Sequence, residues 1–122
     1  MKGFQTQLEV IDHGGDFELL APLVYVRDSG EMVIVYAGFC TDFASIPQFI
    51  QNIFPRVGKY DAAAVLHDWA YRKGGRIRAV PYTRAGADAL FYEAMGVLGV
   101  GQPRRWLMWL GVRLFGGSSF QQ

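Results

Sequence analysis

The hydrophobic pattern of this 122-residue chain changes its period once, at Gly38. From Phe4 to Val10, hydrophobic side chains and one threonine alternate with Gln and Glu side chains, which is the period of a half-buried strand. After Gly38 the chain holds runs of good helix formers that are separated by Gly and Pro. We therefore expect an α+β fold, in which a small N-terminal antiparallel sheet of hairpins packs with three main C-terminal helices.

Turn residues place the individual elements. The clusters at 12–16 and 27–30 combine Asp and Gly, and they predict hairpin turns because these residues tolerate tight backbone conformations. The flanking segments predict strands at Phe17–Ala21, Leu23–Val26 and Glu31–Tyr36. Capping residues and helix breakers predict a short helix at Pro47–Ile53 and longer helices at Asp61–Tyr71, Arg84–Leu98 and Arg104–Phe115.

Composition limits the class of protein. Hydrophobic residues make up 51% of the chain and charged residues 19%, so the chain can bury a core. We expect one domain over residues 1–122, with a β region at 1–40 and a mostly helical region at 41–122. Cys40 is the only cysteine, which excludes an internal disulfide. The longest apolar run, Trp106 to Phe115, is shorter than the roughly 20 residues of a membrane span, so we expect no transmembrane segment.

Charge is distributed unevenly along the chain. Residues 1–55 carry two basic and seven acidic groups, whereas residues 56–122 carry ten basic and four acidic groups. The candidate phosphate-binding residues are the basic side chains of one loop: Arg72, Lys73, Arg76 and Arg78. Tyr82 is the obvious stacking residue beside them, so a nucleic-acid-binding module is one hypothesis. The alternative is a solvated loop that docks onto an acidic partner or onto the acidic N-terminal half of another copy.

Three polar residues fall on inward or half-inward helix faces. His67 shares a face with small and aromatic residues, so we expect it to point inward. Asp68 lies about 100° further round the same helix. Asp88 lies at the edge of an apolar stripe on the next helix. Because burying a charge is costly unless it is paired or bound to a cation, His67, Asp68 and Asp88 need each other, a metal or backbone donors.

Two motifs resemble those of a known family. They are Thr41–Pro47 (TDFASIP) and His67–Tyr71 (HDWAY), followed by Ala87–Phe91 (ADALF). Together with Gly58, Tyr60 and Met95, they resemble domain of unknown function 1353, a family of tailed bacteriophages and prophages. The resemblance runs from Gly38 to Phe115. It implies a phage origin and supplies no reaction.

Three arrangements are open for the polar residues. The first is a metal site in which Asp42, His67, Asp68 and Asp88 are the candidate catalytic residues, with the last three as candidate ligands of zinc, manganese or magnesium. The second is a Ser45–His67–Asp88 hydrolase, although the chain lacks the Gly-x-Ser-x-Gly turn that exposes a serine. The third is a buried polar network without catalysis, which fixes the packing of two helices and of the non-periodic segment Gly38–Pro47. We expect the side chains of Asp42, His67 and Asp88 to lie together, in one hydrogen-bonding network or one metal-ligand shell.

The last predicted helix is apolar almost all the way round. Such a helix cannot bury every face in a domain of this size, and an exposed remainder marks a partner surface. The candidate partner-binding residues are Trp106, Met108, Trp109 and Phe115. We expect one of the pairs Trp106/Trp109 and Met108/Val112 to pack on helix 84–98 and the other to be exposed. A membrane-surface role, with the arginines at the headgroups, is a weaker alternative.

These features predict a phage-encoded virion or assembly-associated protein with a buried Asp-His-Asp site. Its partners would be other phage proteins or a second copy, bound through the last helix. The expected location is the host cytoplasm during infection and the virion. The alternative is a metal-dependent hydrolase that acts on the bacterial envelope or on a phosphate ester, with a divalent metal as the possible cofactor.

Overall fold

The computed structural model describes residues 2–43, 46, 60–72, 76–77 and 80–120. The chain divides into two compact units, Met1–Asp42 and Phe43–Gln122. This division falls close to the predicted change from the β region to the helical region. That the two units form a single domain stays a prediction. Within the described ranges, no helix is both long and apolar enough to cross a bilayer.

The first unit consists of two antiparallel sheets, each of three short strands. The strands are β1 (Gly3–Phe4), β2 (Val10–Asp12), β3 (Phe17–Leu19), β4 (Leu23–Val26), β5 (Met32–Val35) and β6 (Cys40–Thr41). One sheet has the order β1-β4-β5 and the other has the order β2-β3-β6. Both predicted hairpin turns are present. At the first, the Asp12 carboxylate accepts hydrogen bonds from the N–H groups of Gly14 and Gly15, whose positive φ angles suit glycine.

The strand predicted from Phe4 to Val10 is divided between the two sheets. β1 pairs with β4, whereas β2 pairs with β3. Between them, the Thr6 hydroxyl accepts a hydrogen bond from Val24 N and donates one to Pro22 O, both at 3.0 Å. A side chain thus takes the place of a backbone ladder, which ends the regular pairing of β1 with β4. Alternation alone could not reveal this break.

The described residues of the second unit form three α-helices, α1 (Asp61–Tyr71), α2 (Arg84–Val97) and α3 (Arg104–Phe115), and a short 3₁₀ helix at Gly117–Ser119. The bounds of α1 and α3 confirm the prediction, and α2 ends one residue earlier than predicted. Thr83 caps α2 as expected, since its hydroxyl accepts a hydrogen bond from Gly86 N at 2.9 Å. The predicted helix at Pro47–Ile53 lies outside the described residues.

The basic loop predicted between α1 and α2 contains a small ribbon. β7 (Arg76–Ile77) pairs antiparallel with β8 (Val80–Pro81). Helix α2 contacts both α1 and α3. Both helices carry small side chains that are buried: Ala63, Ala64 and Ala70 on α1, and Ala87 and Ala94 on α2. Small residues at helix contacts shorten the distance between helix axes, so a polar side chain on α1 can reach one on α2 directly.

Candidate functional site

His67 and Asp88 form a completely buried pair between α1 and α2. His67 Nε2 lies 2.7 Å from Asp88 Oδ1, and both side chains have 0% of their surface exposed. The imidazole also lies against two aromatic rings, with centroid distances of 4.1 Å to Tyr71 and 4.8 Å to Phe91. The inward orientation predicted for His67 is confirmed. The helix period placed His67 correctly because the neighbouring positions on that face are alanines and aromatics.

The Asp88 carboxylate collects two further hydrogen bonds. Tyr71 donates its hydroxyl proton to Oδ1 at 2.6 Å, and Arg113 Nη1 of α3 donates to Oδ2 at 2.8 Å. Arg84 Nε in turn donates to the Tyr71 hydroxyl at 3.2 Å, and Arg84 Nη2 donates to Val112 O at 2.7 Å. We call these five residues, His67, Tyr71, Arg84, Asp88 and Arg113, the polar cluster. It connects all three helices.

Arg84 also completes the end of α3. Its Nη2 donates to Arg113 O at 2.5 Å as well as to Val112 O. The last carbonyl groups of a helix lack partners within the helix and form the negative end of its dipole. Val112 O already accepts a hydrogen bond from Gly116 N, so the guanidinium supplies a second donor there, a donor to Arg113 O and a favourable charge.

The charge states within the polar cluster follow from burial and hydrogen bonding. Burial lowers the pKa of His67, although the neighbouring Asp88 opposes this effect, so the imidazole is neutral. Burial alone would raise the pKa of Asp88, but the hydrogen bonds from His67, Tyr71 and Arg113 outweigh it and lower that pKa. Burial and the bond to Asp88 raise the pKa of Tyr71. The cluster thus contains a carboxylate, a neutral imidazole that donates Nε2–H to it, and a protonated phenol.

A neutral histidine oriented by a carboxylate is the arrangement of a general base in acyl-transfer enzymes. A base must reach the proton that it removes. His67 is 0% exposed in the chain, which closes the imidazole to a substrate. What this arrangement does directly is hold three helices together through a carboxylate with three donors.

Asp68 has a different partner from its neighbour His67. Its side chain is 1% exposed, and its Oδ2 lies 3.1 Å from Nη2 of Arg72, one helical turn away. A buried carboxylate needs a compensating charge, and the guanidinium of Arg72 supplies it to Asp68. Asp42 is exposed at the end of the first unit, whereas His67 and Asp88 are buried. That Asp42 shares a hydrogen-bonding network or a metal-ligand shell with His67 and Asp88 stays a prediction.

The candidate metal ligands His67, Asp68 and Asp88 do not form one ligand set. Across residues 2–43, 46, 60–72, 76–77 and 80–120, no three His, Cys, Asp or Glu side chains are arranged to hold a metal ion. The reason is visible at Asp88 and Asp68, where the guanidinium groups of Arg113 and Arg72 supply the positive charge. An arginine at a carboxylate disfavours a second cation there.

Several predicted site residues lie outside the described part of the chain. They are Ser45, the candidate nucleophile, and two candidate phosphate-binding residues, Lys73 and Arg78. The backbone of Arg76 lies in β7, and Arg72 pairs with Asp68. Phosphate binding by this loop stays a prediction. At the start of the TDFASIP motif, Phe43 is buried with φ at 60°, a left-handed conformation that is uncommon for a residue with a side chain.

An aromatic pocket lies between α2 and α3, one turn away from the polar cluster. Ala89, Tyr92, Trp106 and Trp109 line it, and its volume is about 360 Å³. The rings of Tyr92 and Trp109 meet edge to face at a centroid distance of 6.4 Å. The guanidinium carbon of Arg105 lies 4.7 Å from the centroid of the Tyr92 ring. We call the pocket that is lined by Ala89, Tyr92, Trp106 and Trp109 the aromatic pocket.

Gln102 fixes the walls of the aromatic pocket. Its Nε2 donates to the Tyr92 hydroxyl, and its Oε1 accepts a hydrogen bond from Trp106 N at 3.1 Å. The second bond satisfies one of the free N–H groups at the start of α3. One side chain thus connects Tyr92 on α2 to the first turn of α3. A pocket whose walls are held in this way needs little ordering when it binds a partner.

The two pairs on α3 differ in exposure, although Trp109 also contacts Tyr92 of α2. Met108 and Val112 are 0% exposed, whereas Trp106 is 47% exposed and Trp109 is half-buried. Met108 was a candidate partner-binding residue, but its position in the interior closes it to a partner. Phe115 is 59% exposed at the end of α3 and does not line the aromatic pocket. Of the four candidate partner-binding residues, Trp106 and Trp109 are therefore the two that line the aromatic pocket.

Three members of the polar cluster were not among the predicted site residues. Tyr71 and Arg84 each carry a spacing signal, since Tyr71 follows His67 by four residues and Arg84 precedes Asp88 by four. Arg113 carries a different signal, since it interrupts the apolar run of α3. An arginine in an apolar stripe needs a carboxylate partner, and Asp88 is that partner.

Comparison with known proteins gives one match. The model of the family described as Protein of unknown function (DUF1353) matches residues 17–112. No curated protein and no solved structure matches the chain.

Proposed function

The chain belongs to this family of unknown function, DUF1353, and we propose that it is a subunit of a larger protein assembly that binds its partner through the aromatic pocket. The resemblance of its motifs to a phage family supports an assembly in the virion of a tailed phage or on its assembly pathway. The host cytoplasm is then where the chain is made.

One observation carries the proposal, namely a preformed aromatic pocket that is open on the outer side of α3. Trp106, on the wall of this pocket, is 47% exposed, and the neighbouring Leu107 is 41% exposed. Tryptophans in preformed pockets are typical anchors of protein interfaces. Exposed apolar clusters of this kind are costly on an isolated chain and are typical of partner surfaces.

A protein partner fits this surface better than a membrane surface does. A helix that lies on a bilayer presents its basic side chains to the headgroups. On α3, Arg113 instead points inward to Asp88, and Arg105 lies over the Tyr92 ring. Two of the three arginines of α3 are therefore engaged within the chain.

The test compares Trp106→Ser with Leu114→Ser. Both residues are exposed on α3, but only Trp106 lines the aromatic pocket. Each variant is produced together with the other genes of the source phage or prophage, and the chain is quantified in the purified particles by mass spectrometry. We expect Trp106→Ser to remove the chain from the particles and Leu114→Ser to leave it there. Equal incorporation of both variants would contradict the proposal.

A metal-dependent hydrolase is the second candidate, and the His67–Asp88 pair is the observation that favours it. Purified protein is mixed with zinc, manganese or magnesium, with and without chelator, and its melting temperature and its hydrolysis of a phosphomonoester and of peptidoglycan are measured. If the polar cluster is structural, metals leave the melting temperature unchanged and there is no hydrolysis. A rise that a chelator reverses would support the hydrolase, because a ligand that binds only the folded state stabilises it.

A further inference from the structure

The first unit carries a surface of complementary character to the aromatic pocket. In the β2-β3-β6 sheet, Ile11 lies opposite Glu18, and Leu20 N bonds to Glu9 O at 2.9 Å. Residues that lie opposite each other in antiparallel strands share a face of the sheet, and this extends to positions two residues along. One face therefore presents two hydrophobic and two acidic side chains, and one of the acids, Glu18, lies 2.9 Å from Nε2 of His13. We call Glu9, Ile11, Glu18 and Leu20 the acidic-apolar patch.

Both surfaces are open in the single chain. Ile11 is 45% exposed and Leu20 is 57% exposed, whereas Leu19, which points to the other face of the sheet, is 1% exposed. Trp106 in the aromatic pocket is 47% exposed. Each surface therefore has large apolar side chains with about half of their area exposed.

The charges of the two surfaces are opposite. Residues 1–42 contain seven acidic and two basic groups. Around the aromatic pocket, α3 contributes two arginines and no acid, namely Arg104 and Arg105, while Arg113 points inward to Asp88. The acids of α2 are Asp88, which Arg113 neutralises, and Glu93. The net charge beside the pocket is therefore positive, and it complements an acidic surface that also offers aliphatic side chains.

We infer that the occupant of the aromatic pocket is the acidic-apolar patch of a second copy of this chain. This inference rests on the proposed function and names its partner. An aliphatic side chain of the patch, Leu20 or Ile11, enters between Tyr92 and Trp106, and the neighbouring glutamates lie toward the arginines of α3. Apolar contact supplies the affinity, and charge supplies the orientation.

A contact between two different surfaces has a geometric consequence. Each copy that binds through its pocket still has a free patch, and the copy that it binds still has a free pocket. Such heterologous contacts close into rings or continue as open chains, whereas a contact between two identical surfaces stops at a dimer. The wild-type chain is thus expected to form oligomers larger than a dimer, in a manner that depends on concentration and is weakened by salt.

The experiment uses two variants, each of which destroys one surface. Trp106→Ser removes a wall of the pocket, and Leu20→Ser removes the aliphatic side chain from the patch. Each variant alone is measured by sedimentation equilibrium as the full chain, and then the two are mixed in equal amounts. We expect each variant alone to be monomeric, with self-association weakened at least about tenfold. The mixture should form a one-to-one dimer and nothing larger, because one intact pocket and one intact patch remain.

Two controls keep the test specific. Leu114→Ser on α3 and Met32→Ser on β5 remove exposed apolar side chains that are 64% and 57% exposed and belong to neither surface. Both controls should associate like the wild-type chain. Circular dichroism of every variant checks that the fold is retained.

The outcomes separate this inference from the proposed function. If Leu20→Ser associates like the wild-type chain while Trp106→Ser is monomeric, the pocket does not bind the patch and the inference is wrong. A wild-type chain that stays monomeric but enters particles in a Trp106-dependent manner would also overturn the inference, while the proposed function would stand. Monomeric variants whose mixture does not dimerise would contradict the inference as well.

Discussion

The polar cluster and the aromatic pocket occupy successive turns of the same two helices, yet they differ in almost every physical property. On α2, Tyr92 follows Asp88 by four residues, and on α3, Trp109 precedes Arg113 by four. At one turn, Asp88 is 0% exposed and accepts three hydrogen bonds. At the next turn, the side chains are aromatic and the surface is open. The comparison shows how a small unit can separate a buried polar network from an open aromatic surface by a single helical turn.

The two regions are nevertheless mechanically connected. Asp88 and Arg113 join α2 to α3, and Arg84 joins the start of α2 to the end of α3. A buried polar network whose members are satisfied favours one packing arrangement over its alternatives. Because Tyr92 and Trp109 belong to the same two helices, this network also fixes the distance between the walls of the pocket. Damage to the cluster is therefore expected to reach the pocket, but damage to the pocket is not expected to reach the cluster.

Replacing Asp88 with Ala is expected to have the largest effect. The change leaves His67 Nε2–H and the Tyr71 hydroxyl buried without their acceptor and removes the partner of Arg113. Breaking a buried ion pair by removing one member costs about 3–5 kcal/mol of unfolding free energy. Chemical denaturation of the full chain measures this loss, and Asp16→Ala, at an exposed turn in the first unit, serves as the control with a loss of at most about 0.5 kcal/mol. Similar losses in the two variants would contradict a stabilising role for the cluster.

The sequence predicted much of this arrangement because the relevant signals are local. Helix formers and flanking Gly and Pro residues located α1 and α3 with their observed bounds, and the small residues around His67 predicted its inward orientation. The family resemblance is supported by the matched family model. The division of the β region into two sheets escaped prediction, because it depends on which strand each short segment pairs with.

The composition of the polar cluster was harder to predict for a similar reason. Asp68 and Asp88 look alike as single acids on amphipathic helices, and only the approach of α3 gives Asp88 its arginine. Arg113 lies 25 residues after Asp88, and no local pattern connects the two positions. Pairings between distant segments depend on the packing of helices, which one sequence does not encode in any local spacing.

Two glycines provide a sharper comparison between the regions. A methyl group at Gly116 would lie 2.6 Å from the backbone oxygen of Val112 and 3.3 Å from the Tyr71 hydroxyl, whereas one at Gly96 would meet only the flexible end of Arg105. Gly116→Ala is expected to lower the unfolding free energy by about 1–3 kcal/mol, because a backbone atom that already accepts a hydrogen bond from Arg84 must move.

Gly96→Ala is the matched control for this change. The Arg105 side chain can move toward solvent, and alanine favours a helix interior by about 1 kcal/mol over glycine, so we expect a net change of at most about 0.5 kcal/mol. Thermal and chemical unfolding of both variants measures the difference. If Gly96→Ala were the more destabilising of the two, the side of α3 near Arg105 would be the more rigid, and the contrast between the regions would be reversed.

The smallest expected effect is the dependence of stability on pH through His67. Because the pKa of His67 is lowered in the folded chain, the unfolded chain takes up a proton below about pH 6.5 that the folded chain does not. Stability is therefore full above that pH and falls as the pH decreases, by at most about 1.4 kcal/mol per pH unit. The pKa of Asp88 is also lowered, so its contribution is lost only at still lower pH, where its carboxylate becomes protonated.

Unfolding free energies measured from pH 7.5 down to about pH 4.5 test this slope in the wild-type chain and in His67→Gln, which cannot take up the proton. His13→Gln, at an exposed position in the first unit, should retain the acid loss because His67 is still present. If the slope of His67→Gln equalled that of the wild-type chain, His67 would be protonated in the folded chain as well, and the polar cluster would hold a charged imidazole rather than a neutral one.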